Sequence, residues 1–221
     1  LCEDKVLKIL ANKDAVYNAD NNMQLTATQN VLGQSVPFIG EFGISKNPES
    51  FASESYRAYF TDKQRGAVLR LSKDGLTNIA EHGMSDWFKD NLKLGKQLIG
   101  SHDDRKEDYN ITIKTDDVET TKTLSFSEIV TGWVSFKSFI PENGISMASD
   151  YYTFKNGRLW KHHQPQLSVT PHIWSDCAFV NAKNYNVFYG VDSHTSTIDV
   201  MLNDSPSTIK SFRTLGYEGS Q

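Results

Sequence analysis

Apolar and polar residues alternate with a period of two along much of the chain, and short polar runs interrupt the alternation. Successive side chains on a strand point to opposite faces, so each alternating run predicts a half-buried strand and each interruption a turn. Five strand–turn–strand units follow. In the first, residues 6–11 lead into Asn12-Lys13-Asp14 and leave through Ala15-Val16-Tyr17. In the second, residues 56–60 and 67–71 flank a polar turn ending at Gly66, with a further turn closed by Gly75. The third turns through Asp103-Asp104-Arg105-Lys106-Glu107-Asp108 into a strand over 109–113. The fourth is Tyr151-Tyr152-Thr153-Phe154-Lys155, then Asn156-Gly157, then Arg158-Leu159-Trp160. Asn-Gly predicts a two-residue type I′ hairpin there, because both positions need positive φ. The fifth joins 185–189 to 197–201 through a turn over 192–196. Further strands are predicted at Thr123-Leu124-Ser125-Phe126 and Trp133-Val134-Ser135-Phe136.

This pattern predicts a mainly β fold of antiparallel hairpin and meander modules. The turns recur every roughly 40 to 50 residues, the spacing of a four-stranded propeller blade, so a propeller-like array is favoured over an ordinary antiparallel sandwich. Two short helices join the strands. Ser85 is placed to N-cap residues 86–92, with acids in the first turn. Asp204 or Ser205 is placed to cap 206–212, with Pro206 in the first turn. The polar stretch 114–122 reads as an exposed loop. Residues 1–221 read as one β-rich domain, with 164–171 the best place for a seam. The chain opens at Leu1 inside an alternating segment, which suggests a fragment of a longer polypeptide.

Composition narrows the function classes. A chain of 221 residues with 38% hydrophobic and 11% aromatic residues can build a sizeable core. The net charge of −4 gives no footprint for nucleic-acid binding. No apolar run approaches the roughly 20 residues that span a bilayer, and no signal peptide is evident. Cys2 and Cys177 stand far apart without a CxxC partner, which reads as two isolated reduced thiols.

Candidate chemistry is sparse. Histidines occur at 82, 102, 162, 163, 172 and 194 without HExxH spacing; adjacent His162 and His163 would alternate faces on a strand, one packed and one solvated. The acidic turn over 103–108 lacks the EF-hand spacing and reads as a solvated hairpin. Neither a GxSxG elbow nor a P-loop is present. Ser72-Lys73-Asp74-Gly75-Leu76-Thr77 falls short of an Asp-box and reads as a plain β-turn. Asn110-Ile111-Thr112 fits a glycosylation sequon. Gly132-Trp133-Val134-Ser135-Phe136-Lys137-Ser138-Phe139 is an aromatic stripe, either a sugar-stacking platform or half core and half subunit contact. The sequence thus singles out no catalytic, cofactor-binding or metal-ligating residue. Exposed hairpin edges need pairing or charge, and Lys63, Arg65, Arg105 and Lys106 are placed to supply it.

Several ordered blocks resemble a large virion structural protein of crAss-like and related tailed bacteriophages. They are Gly43-Ile44-Ser45-Lys46-Asn47-Pro48-Glu49-Ser50-Phe51-Ala52, Tyr56-Arg57-Ala58-Tyr59-Phe60-Thr61-Asp62 and Arg70-Leu71-Ser72-Lys73-Asp74-Gly75-Leu76. Further on come Gly132-Trp133-Val134-Ser135-Phe136-Lys137-Ser138-Phe139-Ile140-Pro141-Glu142, the Tyr151 to Trp160 hairpin, Asn203-Asp204-Ser205-Pro206-Ser207-Thr208-Ile209-Lys210-Ser211-Phe212 and Tyr217-Glu218-Gly219-Ser220-Gln221. The resemblance implies a non-enzymatic component of the distal tail, of the muzzle or nozzle kind, in the virion. It implies a ring of copies beside neighbouring tail proteins, with DNA passing through the channel without sequence-specific binding. It also implies a chain longer than this one, and transfers no active residue or cofactor. The rival expectation is a glycan-binding or glycan-hydrolysing tail domain, with Trp133, Tyr151 or Trp160 exposed beside a carboxylate pair.

Overall fold

The computed structural model describes residues 1–163, together with 187–189, 192–193, 195–199, 207, 209 and 211. The chain begins with a long antiparallel ribbon of two strands, β1 (Leu7–Tyr17) and β2 (Met23–Pro37). The turn expected at Asn12-Lys13-Asp14 is not there; β1 runs through it and reverses only after Tyr17. The reversal is built from asparagines: the Asn21 N–H donates to the Asn18 carbonyl at 2.9 Å, and the Asn22 N–H to Asn18 Oδ1 at 2.8 Å. The polar run at 12–14 is instead a site of register shift, with Asn12 at φ +53°. A bulge interrupts alternation just as a turn does, and that interruption is what the sequence pattern detects.

Three antiparallel meanders follow. The first sheet holds β3 (Ala52–Ser53), β4 (Ala58–Asp62), β5 (Ala67–Ser72) and β6 (Gly75–Asn78) in sequence order. The second holds β7 (Gln97–Asp103), β8 (Asp108–Lys114), β9 (Lys122–Ser127) and β10 (Gly132–Lys137), also in sequence order. The third holds β11 (Asn143–Met147), β12 (Asp150–Lys155) and β13 (Arg158–Lys161). The second, third and fourth predicted hairpins therefore stand, and Asn156 and Gly157 take the paired positive φ of a type I′ turn, +53° and +69°. In the fifth unit, β14 (Val187–Phe188) pairs with β15 (Asp192–Ser193). Asp192 thus lies in a strand rather than opening the turn, and residues 197–199 are not strand. The fold is mainly antiparallel β, as the alternation predicts.

One α-helix, α1 (Ser85–Asn91), lies among the described residues, between the first and second sheets. Ser85 is its first helical residue rather than its cap; Met84 occupies the cap position without a side-chain bond. The Met84 N–H is already held by the Ala80 carbonyl at 3.1 Å, which carries the chain straight from the preceding single-turn helix (Ile79–Glu81) into α1. The helix expected over 206–212 and the seam expected at 164–171 lie outside the described residues, apart from positions 207, 209 and 211. No described helix is long and apolar enough to cross a membrane.

The sheets stack face to face, and alternation decides what each interface contains. On the first sheet Tyr59 and Val68 face the second, where Leu98, Tyr109, Ile111, Leu124 and Phe126 meet them in the main core with Phe88 of α1. The intervening residues of the first sheet, Phe60, Ala67 and Leu69, point the other way. There Val6, Phe38, Phe42 and Ile44, from the root of the ribbon, cover them. The opposite face of the second sheet is polar but buried: Asn110, Thr112, Thr123 and Ser125 look toward Phe139, Tyr151 and Thr153. These four side chains find partners, Thr112 with Thr123 at 2.8 Å, Thr123 donating to the Phe139 carbonyl at 2.7 Å, and Ser125 donating to Asn110, whereas the buried Ser135 hydroxyl, opposite Ser125, has no partner among the described residues.

Candidate functional site: a cleft where three first strands meet

The first strands of the three meanders, β3, β7 and β11, come together on one side of the stack. Two glycines permit the approach. A Cβ on Gly100 would lie 1.9 Å from the Ser50 carbonyl oxygen, and one on Gly144 would lie 2.8 Å from Ser101 Cβ. Beside this junction opens a cleft of about 880 Å³, lined by 51–57, by Gly100, Ser101, His102, Asp104 and Glu107, and by 143–146. Its charged lining is Glu54, Asp104 and Glu107 against Arg57.

The lining is cross-braced. His102 Nδ1 lies 2.9 Å from Asp104 Oδ1, and the His102 ring stacks on Tyr59 at 5.8 Å. Ser146 donates its hydroxyl to the His102 carbonyl at 2.7 Å and accepts from the Asp104 N–H at 3.0 Å, tying β11 to the end of β7. Its oxygen is thereby engaged with backbone rather than with an imidazole, the partner that would activate it as a nucleophile. Arg57 bonds Glu54 at 2.6 Å and reaches Glu128 at 3.4 Å. Glu128, half-buried with its side chain largely covered, also accepts from Tyr59 OH at 2.7 Å and faces Arg70 Nε at 3.6 Å. Burial, and then the Glu128 bond, push the Tyr59 phenol far above its ordinary value, so it remains a donor. Tyr59 also stacks on Tyr109 at 4.8 Å, which links the cleft wall to the core.

A second polar cluster lies between the second and third sheets around a cavity of about 130 Å³, lined by Asp103, Asp108, Lys137, Tyr151, His162 and His163 among others. His163 Nε2 lies 2.5 Å from Asp103 Oδ2, and Asp103 also accepts from the Arg105 and Lys106 N–H groups. Burial works to raise the Asp103 carboxyl, but the His163 bond and those N–H donors outweigh it and hold it below the ordinary carboxylate range. Asp108 is raised by burial, against the pull of the Ser127 hydroxyl and Lys137. Burial and then Lys106 lower Lys137. Burial and then His163 push His162 down to about 4.

The sequence-level candidates fall as follows. His162 and His163 lie just past β13, not on a strand, and His163 has φ +56°. Their rings adjoin at 6.1 Å instead of taking opposite faces, with His162 buried and His163 partly so. The turn at 103–108 is not simply solvated, since Asp103 and Asp108 are buried at its base. Asn110 of the sequon is buried in β8. The glycan candidates lie in the packing: Tyr151 and Trp160 are buried, and Trp133 wedges between Phe88 and Phe126 while donating to the Ile79 carbonyl at 2.9 Å. Of the aromatic stripe, Val134 and Phe136 are exposed. Arg65 does not guard an edge; it neutralises buried Asp62 at 2.9 Å and reaches Asp4 at 3.4 Å. Arg105 donates to the His163 carbonyl. Ser72 to Gly75 form the plain hairpin turn between β5 and β6. Cys2 is exposed, and Cys177, His172 and His194 lie outside the described residues. Among the described residues, no three His, Cys, Asp or Glu side chains come together as metal ligands. Comparison of the sequence with protein-family models and with curated proteins returns no match.

Proposed function

We propose that the chain is a structural module of a bacteriophage tail, part of a distal ring of the muzzle or nozzle kind around the DNA exit channel. The sequence blocks described above support the tail assignment. The observation that carries the ring-and-channel part is the convergence of β3, β7 and β11 on one cleft lined by three carboxylates and one guanidinium. Consecutive antiparallel meanders, stacked face to face with their first strands drawn together, are the arrangement of propeller blades. On this reading the three sheets are successive blades and the cleft belongs to the axial wall. An acidic wall repels the phosphate backbone, which lets DNA slide past without sequence-specific binding. The cross-bracing of Ser146, His102, Asp104 and Arg57 suits a rigid wall, and the module acts mechanically rather than as an enzyme. Copies of the chain and neighbouring tail proteins complete the ring in the virion.

Immunogold labelling of virions with an antibody against this chain tests the assignment. Gold at the tail tip is expected, and gold on the capsid would overturn it. The burial of Tyr151 and Trp160 weighs against the glycan-binding alternative, and saturable binding on a surface-polysaccharide array would reinstate it.

A further inference from the structure

Four lysines converge on one pocket away from the cleft. Lys46 comes from the loop that follows β2, Lys63 from the β4–β5 turn, Lys93 from the single-turn helix Leu92–Leu94, and Lys96 from the approach to β7. Together they line a pocket of about 470 Å³. Among the described residues its lining holds no carboxylate and no aromatic ring. Lys96 precedes β7, whereas His102 of the cleft lies near the end of that strand, roughly 20 Å further on at the rise of an extended chain. The pocket is therefore separate from the cleft. A concave surface lined by one sign of charge concentrates ions of the other sign.

The fold holds these cations together. Buried Asp62 ties the two segments that carry Lys46 and Lys63: it accepts from the Gly43 N–H at 3.1 Å, from the Ser45 hydroxyl at 2.9 Å and from the Arg65 N–H at 3.1 Å. The Ser45 oxygen in turn accepts from the Gln64 N–H at 3.4 Å. The Asp62 charge is met by the Arg65 guanidinium at 2.9 Å. The same turn sits against α1, since a Cβ on Gly66 would lie 2.6 Å from Lys89 Cα. Lys93 and Lys96 are set by Leu92, which is fully buried in the main core, and by the Lys96 N–H, which donates to the Lys114 carbonyl at 2.7 Å. The compensating charge is thin. Lys46 meets Glu3 at 3.6 Å and Lys96 meets Asp116, both exposed pairs of the kind that contribute little. Lys63 and Lys93 form no ion pair among the described residues.

We infer that this pocket binds a compact polyphosphate, an anion that carries several phosphate charges on a short chain. Ammonium groups act as point charges and suit phosphate, whereas planar carboxylates favour the guanidinium fork, which the described lining lacks. Four cations are more than one phosphate, at about −2, can balance. The volume lies within the range of small-molecule sites. The lysines surround one pocket rather than a track, and no ring in the described lining offers a base a stacking surface, so a nucleic-acid strand fits less well. Binding relieves the repulsion among the four ammonium groups and stabilises the junction of loop, turn and helix that presents them. The site is independent of the tail reading.

Calorimetric titration of the purified chain with sodium tripolyphosphate at physiological ionic strength tests it, and saturable binding at one site is expected. Lys63→Gln with Lys93→Gln removes the two lysines without a described ion pair, and circular dichroism checks that the fold persists. That double variant should bind about tenfold more weakly or worse. Without ligand its Tm should not fall, because the change relieves repulsion. Tripolyphosphate should raise the Tm of the wild type and leave that of the double variant unchanged. Lys13→Gln with Lys73→Gln removes the same charge at exposed positions elsewhere and should leave binding intact. A wild type that shows no saturable binding would overturn the inference, as would a control variant that loses as much affinity as the pocket variant. So would a thymidine oligonucleotide that displaces tripolyphosphate at equal total phosphate, which would place an extended phosphodiester strand in the pocket instead.

Discussion

Acidification should remove stability from this fold at one buried ring. His162 is 8% exposed, with Nε2 2.7 Å from Thr153 Oγ1 and its ring against Phe139 at 4.8 Å and Tyr151 at 5.0 Å. Burial, reinforced by His163 and Lys106 and opposed by Asp103, lowers its pKa from 6.5 to about 4. Below pH 6.5 the unfolded chain therefore takes up a proton that the folded chain refuses until about pH 4. The contribution is complete above pH 6.5, declines as pH falls through that window, and levels off beneath it. At about 1.4 kcal/mol per pH unit across the window, the loss is about 3 kcal/mol. Urea unfolding followed by tryptophan fluorescence, repeated across the window, measures it. His162→Phe is the control: it keeps the aromatic packing, and Thr153 retains the Tyr189 hydroxyl at 3.1 Å. The wild type should lose stability across the window, and the variant should show a slope shallower by nearly the whole amount. Identical slopes, or a His162 proton resonance titrating near pH 6.5, would refute the reasoning.

Three substitutions extend the account. Glu128→Gln leaves Arg57 and Arg70 without their shared carboxylate and should cost about 3 kcal/mol in chemical denaturation; a loss within experimental error would contradict the cluster's role. Gly100→Ala drives a methyl into the Ser50 carbonyl and should cost about 3 kcal/mol or prevent folding, read as a drop in Tm. Asp103→Asn removes the charge facing His163 and should cost about 1.5–3 kcal/mol at neutral pH. Because the Asp103 carboxyl is held low, its contribution is present above the ordinary carboxylate value and vanishes as pH falls through the lower folded value, so the gap between Asp103→Asn and wild type should close in acid.

What could be read from the chain alone follows from the range of the forces involved. Alternation and turn chemistry are local, so β4–β5, β7–β8 and β12–β13 were legible, as was the type I′ turn at Asn156-Gly157. The ribbon was half legible: its alternation marked strands, but a bulge at Asn12 and a turn interrupt the pattern alike. Cap geometry at Ser85 failed because an upstream contact, the Met84 N–H to Ala80, sets where α1 begins. The cleft and the polar cluster were not legible. His163 meets Asp103 across 60 positions, and Tyr59 meets Glu128 across 69, with no local signal at either end. A partial signal existed for the polar cluster: strands β8 and β9 alternate apolar with Asn, Thr and Ser rather than with charge. That composition suits a second buried face better than a solvated one.

The direct measurement is electron microscopy of the intact virion at a resolution that traces this chain. The account predicts copies arranged in a ring at the distal tail, β3, β7 and β11 nearest the channel, and Glu54, Asp104 and Glu107 turned toward the passing DNA. A trace that put the chain in the capsid or inside the head, or in the tail with this cleft facing away from the channel, would contradict it.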